Sequence, residues 1–255
     1  AAGQLVLITA VLSLLIASAA FIGNRHLLRL IFGSVEAEVM DNAATYFWFT
    51  AMSYPFLALY NAGAAIFRSI GNSNISMRVS LIMNGINVVG NAILIYVCKC
   101  GTEGVAIPTL VSRLAAAFIM IILLIPKKSA QAKQDSTRIY IKKSLHYRAN
   151  WHMLKSILLV GIPNGLENSM FQIGKLLTQS MIAGFGTASI AANACAMTVE
   201  QLAFMPGSAM GLAMTTVVGQ CVGAGDYKQA RSYTKKLITG AYAFLWILNI
   251  LLLAA

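Results

Sequence analysis

Seven long, continuous apolar runs constrain this chain more than any other feature of its sequence. They fall at about 4–22, 43–66, 79–98, 104–126, 156–183, 189–218 and 235–255. A helix crossing the roughly 30 Å hydrocarbon core of a bilayer needs about 20 mostly apolar residues. Barrel strands would instead alternate apolar and polar over about ten residues. Backbone groups have no water partner in lipid, so runs of this length must form helices. The expected fold class is therefore all-α, a polytopic transmembrane helix bundle. Composition agrees: 58% of residues are hydrophobic and only 11% are charged. An average soluble domain carries about 25% charge. These proportions exclude a disordered chain, a soluble basic nucleic-acid binder and a small disulfide-stapled secreted domain.

The net charge of +11 is explained by topology. Positive residues collect in cytoplasmic loops. The connection 127–155 holds Lys127, Lys128, Lys133, Arg138, Lys142, Lys143, Arg148 and Lys155 against one acid, Asp135. The turn at 67–78 adds Arg68 and Arg78, and that at 219–236 adds Lys228, Arg231, Lys235 and Lys236. These fourteen face three, Arg25, Arg29 and Lys99, in the loops at 23–42, 99–103 and 184–188. The long basic loop is thus expected to be cytoplasmic, in a multi-pass protein of the plasma membrane. It divides the chain into a four-helix piece (1–126) and a three-helix piece (156–255). The expected partner is the lipid bilayer, and the charge calls for no nucleic acid. The chain begins at Ala1 inside an apolar run and ends at Ala255 inside another, which reads as an internal fragment of a longer protein. The four cysteines, Cys98, Cys100, Cys195 and Cys221, have no His at metal spacing and read as small apolar packing residues.

Charge inside a span is costly and marks function by default. Four residues qualify: Arg113, Glu167, Lys175 and Glu200. In the fifth span Asn164, Glu167, Asn168, Gln172, Lys175 and Gln179 recur at three- and four-residue steps, so they share one helix face. Lipid cannot solvate such a face. It reads either as the wall of a transport pathway or as an interhelical hydrogen-bond ladder. Pro163 is expected to begin this helix, a position that tolerates proline. In the sixth span Asn193 and Glu200 share a face, Gln201 follows, and Pro206 is expected to kink the helix. The third span carries Asn84, Asn87 and Asn91 on one face, able to coordinate an ion or to clamp neighbouring helices. Arg113 has no partner nearby in sequence. Glu167 and Glu200 are the candidates for charge recognition or protonation. Glu200 is the more natural partner for Lys175, which would make that pair a structural bridge between two spans.

Several segments together resemble the multidrug and toxic compound extrusion (MATE) transporters. GIPNGLENSMFQIGKLLTQSMIAG (161–184) and GTASIAANA (186–194) look like the start of that family's second lobe. GQCVGAGDYKQAR (219–231) is similar to its glycine-rich turn. Pro55 followed by FRSIGNS (67–73) resembles the exit of its fourth helix, and 84–96 with GVAIPTLVS (104–112) its fifth and sixth. The resemblance implies twelve helices in two six-helix lobes, of which these seven spans are the third to ninth. Residues 1–126 would end the first lobe, 127–155 would link the lobes, and 156–255 would start the second. It implies a secondary active antiporter, not an enzyme, exporting small amphipathic organic cations in exchange for Na⁺ or H⁺, without other cofactors and monomeric when full length. It also implies a first-lobe ion site at Tyr46, Asn87, Asn91 and Thr109, with Asn91 standing where the family has Asp. A Glu that one branch places in its seventh helix is Phe171 here, with Glu167 one turn away on nearly the same face. The other readings are a lipid-linked-precursor flippase, which needs a strongly basic cavity, and a non-transporting membrane fragment. A further reading, an intramembrane enzyme, is disfavoured: His26, His146 and His152 lie in loops or at interfaces, and none of the seven apolar runs contains Asp.

Overall fold

Seven α-helices account for nearly all the described residues, in the order expected of the seven apolar runs. The computed structural model describes residues 2–32, 37–125 and 151–254. The helices are α1 (Ala2–Phe32), α2 (Ala37–Ser69), α3 (Ser73–Ala92, closed by a π-helical turn Ile93–Val97), α4 (Glu103–Leu124), α5 (Trp151–Ala183), α6 (Thr187–Gly223) and α7 (Tyr227–Ala254). There is no strand among the described residues. Among the described residues four stretches are long and apolar enough by themselves to cross a bilayer: Ala2–Arg29, Ser73–Val97, Glu103–Leu124 and Ala188–Gly223. Helices α2, α5 and α7 have the length, at 33, 33 and 28 residues, but more polar residues.

Most helices outrun the apolar runs that announce them. Hydropathy marks hydrocarbon depth, whereas the backbone stays helical through the interface. This corrects one expectation. Helix α5 begins at Trp151, so Pro163 lies well inside it rather than at its start. Residues 151–155 of the connection at 127–155 are helical, and its remainder, 127–150, lies outside the described residues. The broad turns at 67–78 and 219–236 shrink likewise to the few residues between α2 and α3 and between α6 and α7.

Those two turns have one design. Gly71 (φ +82°) and Gly225 (φ +76°) adopt the left-handed conformation that glycine reaches without strain. In the first, Asn72 N donates to Phe67 O at 3.0 Å and Gly71 N to Arg68 O at 2.8 Å. In the second, Asp226 N donates to Cys221 O and Gly225 N to Val222 O, both at 3.0 Å. Both are Schellman closures, which satisfy the last carbonyls of the preceding helix. Asp226 then caps α7 by accepting from Gln229 N at 2.9 Å.

The described chain divides into two units, Ala1–Ser156 and Ile157–Ala255. In the first, α2 packs against α1 and α4, and α4 also packs against α3. The core joins Tyr60, Ala64, Ile66 and Phe67 of α2 to Val79 of α3 and Ala116, Met120 and Leu124 of α4. Small residues permit this approach. A Cβ on Gly90 would meet Pro108 Cβ at 2.7 Å, so α3 and α4 are nearly in backbone contact beside Thr109. In the second unit α6 packs against α7, with Gly207 facing Leu245. Helix α5 carries most of its side chains on the surface. The cysteines are all free thiols, and only Cys221 is buried; Cys98 and Cys195 are exposed and Cys100 is half-buried. Packing therefore explains one of the four.

Candidate functional site

Two polar tracts stand out, one in each unit. The first spans α2, α3 and α4. Asn91 Nδ2 donates to Asn87 Oδ1 at 3.1 Å, Asn87 Nδ2 donates to Thr109 Oγ1 at 3.1 Å, and Thr109 Oγ1 donates to Val105 O at 2.9 Å. Every donor in this relay points the same way, toward α4. The relay starts at a buried acceptor, Asn91 Oδ1, which has no partner among the described residues. A buried amide oxygen left unpaired is costly, so it invites a donor. Three members of the set Tyr46, Asn87, Asn91 and Thr109 are thus brought together. Tyr46 makes no hydrogen bond to them among the described residues, and it is 39% exposed.

One turn along α4 from Thr109 is Arg113, whose Nη1 donates to Ser53 Oγ of α2 at 2.5 Å. Ser53 is fully buried and donates to Thr50 O at 2.7 Å. Thr50 Oγ1 is itself buried without a partner among the described residues. Tyr46, Thr50 and Ser53 recur at i, i+4 and i+7, so α2 presents them on one face. Ser53 and Thr50 were missed by reading the sequence alone, although that spacing was visible. No carboxylate lies within ion-pair distance of Arg113 among the described residues.

The second tract is the stripe on α5. Asn168 Nδ2 donates to Asn164 Oδ1 at 2.7 Å and to Asn164 O at 2.9 Å, so these two amides satisfy each other within one helix. Lys175 Nζ reaches Glu200 Oε1 of α6 at 3.4 Å. Its ammonium also sits 5.2 Å from the centre of the Phe171 ring, a cation–π distance. Phe171, at the position where the family resemblance led one to look for Glu, therefore helps to hold a cation. Asn193 Nδ2 turns to Met197 Sδ at 3.6 Å within α6. Glu167, Gln172 and Gln179 are exposed, and Glu167 has no ion-pair partner among the described residues.

No group of three His, Cys, Asp or Glu that could hold a metal occurs among the described residues. Residues 1–93 and 163–255 match the family model MatE. The chain belongs to the MatE family. Together with the helical bundle and its long apolar spans, this makes it a multi-pass membrane protein. The MatE chain is 26% identical over 228 residues to the "Probable multidrug resistance protein NorM" of Thermotoga maritima, covering 87% of this chain and 45% of that protein. It is 31% identical over 226 residues to the protein of the same name in Bacillus thuringiensis subsp. konkukian, covering 86% and 48%. Its fold matches a solved structure described as the outward-facing conformation of a multidrug resistance MATE family transporter. The TM-score is 0.81 at 21% identity, over 99% of this chain and 53% of the other. The chain thus spans about half the length of these relatives.

A coupling cation can be tested against the first tract. Hard cations take several oxygen ligands, usually with carboxylates among them. Here Asn87 Oδ1 is already engaged, Asn91 supplies one neutral oxygen, and a cation, Arg113, stands one turn along α4 from Thr109. These residues do not fit a cation site.

Proposed function

We propose that the full-length MatE protein is a secondary active multidrug exporter that expels amphipathic organic cations in exchange for inward Na⁺ or H⁺. The observation that carries this reading is Glu167, a carboxylate inside a helix of membrane-spanning length, exposed and without an ion-pair partner among the described residues. An unpaired charge in a span marks a pathway rather than packing. Glu200 serves less directly, because Lys175 already neutralises it. The rest of the α5 stripe, Asn164, Asn168, Gln172, Lys175 and Gln179, with Asn193 on α6, would line that pathway. Alternating access would come from movement of the lobes around a central cavity. The names of the NorM relatives support export of drugs. The protein would act as a monomer in the plasma membrane, with the basic connection at 127–155 in the cytoplasm. Domain boundaries at 1–126, 127–155 and 156–255 follow from that plan.

The test is dye efflux by the full-length protein in cells, with the Na⁺ and proton gradients collapsed separately. Loss of cationic-dye efflux on collapse of one gradient is expected. Efflux that ignores both gradients, or no efflux of any cationic dye, would overturn the reading. The flippase alternative loses ground on geometry. Pyrophosphate calls for clustered cations, and of the two cations within the described spans Lys175 is engaged by Glu200, which leaves Arg113.

A further inference from the structure

Two clefts lie along the seam between α1 and α2, and their chemistry differs. One, with a volume of about 640 Å³, is apolar, with walls that include Ala10, Ala17 and Phe21 of α1 and Ala51, Pro55 and Leu59 of α2. Phe21 is exposed, so this cleft opens to the surface at hydrocarbon depth. The other, of about 480 Å³, lies toward the end of α1 and the start of α2, and its walls include Asn24, Arg25, Asp41 and Trp48. The clefts adjoin where Phe21 of the first meets Trp48 of the second, ring centres 5.5 Å apart. Asn24 and Arg25 follow the apolar run at about 4–22, and Asp41 precedes the run at about 43–66. The polar cleft therefore stands where hydrocarbon gives way to head groups, a level at which tryptophan is enriched. From Ala10 to Asn24 the α1 wall rises about 21 Å, more than half of the roughly 30 Å hydrocarbon core.

The polar cleft holds both signs of charge. Arg25 Nη2 reaches Asp41 Oδ1 at 3.0 Å, with side chains 70% and 67% exposed. So exposed a pair contributes little to stability, and a ligand with matching charges displaces it at small cost. Asn24 Nδ2 donates to Ala44 O at 3.0 Å, which leaves Asn24 Oδ1 buried without a partner among the described residues. A buried acceptor in that state favours an incoming N–H donor.

We propose that the α1–α2 seam binds one phospholipid with a zwitterionic, amine-bearing head. The phosphate lies on Arg25, the ammonium sits between Asp41 and Asn24, and an acyl chain fills the apolar cleft. A guanidinium fork holds phosphate through two parallel hydrogen bonds. An ammonium supplies three donors, enough for the carboxylate and the amide oxygen together. A trimethylated head has the same charge but no N–H to give. An anionic head without an amine offers nothing to Asp41 and is repelled by it. The site is distinct from the bilayer that solvates the rest of the surface, and it does not rest on the transport reading.

The test is native mass spectrometry of the full-length protein in detergent, titrated with phosphatidylethanolamine, phosphatidylcholine or phosphatidylglycerol of the same chains. One saturable phosphatidylethanolamine is expected, with the other two about fivefold or more weaker. Free phosphoethanolamine, the same head without chains, should bind at least about tenfold more weakly than the lipid. Asp41→Asn should abolish the preference for phosphatidylethanolamine over phosphatidylcholine, and Arg25→Gln should weaken both lipids several-fold. Both side chains are exposed, so neither change should unfold the protein. Ala17→Phe should block the apolar cleft and lower binding of every lipid. Equal affinity for the three lipids, stronger binding of phosphatidylglycerol, free phosphoethanolamine binding as well as the lipid, or an undiminished preference in Asp41→Asn would overturn the proposal. So would no saturable lipid, because the seam would then be covered by the full-length protein itself.

Discussion

The two units use the same kinds of polar residue to opposite ends. In the first, side chains of neighbouring helices bond across the helix contacts, and among the described residues Arg113 stands at mid-span without an ion pair. In the second, the polar residues form a long stripe on one exposed helix. Two of its amides, Asn164 and Asn168, bond to each other within one turn, and charges of both signs are present. A carboxamide between packed helices builds a directional chain with a defined acceptor at its end. The same group on an exposed face bonds to its own turn and leaves the surface free. Polar residues in a span are therefore informative only together with what packs on them. By that measure Glu167 and Arg113 are the two groups whose environment does not already explain them.

The contrast can be broken most decisively at Glu167. In the full-length protein, Glu167→Gln is expected to lower gradient-driven dye efflux about tenfold or more with an unchanged melting temperature. Unchanged efflux with reduced thermal stability would make the α5 stripe structural, like the first tract. Next in size is Gly90→Ala. The new methyl would meet Pro108 at 2.7 Å, so overpacking should cost about 1–3 kcal/mol and pull Asn87 away from Thr109. A melting temperature equal to wild type would show that α3 and α4 are not tightly joined there.

The Lys175–Glu200 pair should matter less. Its side chains are 32% and 57% exposed, so a double-mutant cycle of Lys175→Met and Glu200→Gln should return a coupling of about 1 kcal/mol or below. A coupling of several kcal/mol would mean that the pair is dry in the intact protein and holds α5 to α6. Smallest is Gly174→Ala on α5. Nothing lies within 4 Å of the added methyl, so the change should be neutral or stabilise the protein by up to about 1 kcal/mol. Clear destabilisation would show a close neighbour on that face.

The helices were legible because continuous apolar runs leave no alternative to helix in lipid. Their ends were not, as Pro163 illustrates: a proline after a basic segment looks like a start, yet α5 begins at Trp151. The α5 stripe was visible because its members lie on one helix at helical spacing. The pairing of Arg113 was not, because Ser53 is sixty positions away and a serine in an apolar run passes for a small filler. Lys175 and Glu200 were easier, since only a tight turn separates their helices. The misfit of a cation to Asn87, Asn91 and Thr109 needed the geometry: sequence shows that a charge is missing, and only packing shows that Asn87 Oδ1 is already taken by Asn91.

The two glycine closures also set the register of the hairpins they form. With only Ala224, Gly225 and Asp226 between α6 and α7, the rotation of α7 is locked to that of α6. One residue inserted after Gly225 would turn α7 by about 100°, since an α-helix has 3.6 residues per turn. That would swing Leu245 away from Gly207. In this chain, length at the tight turns is as stringent a requirement as chemistry is in the spans.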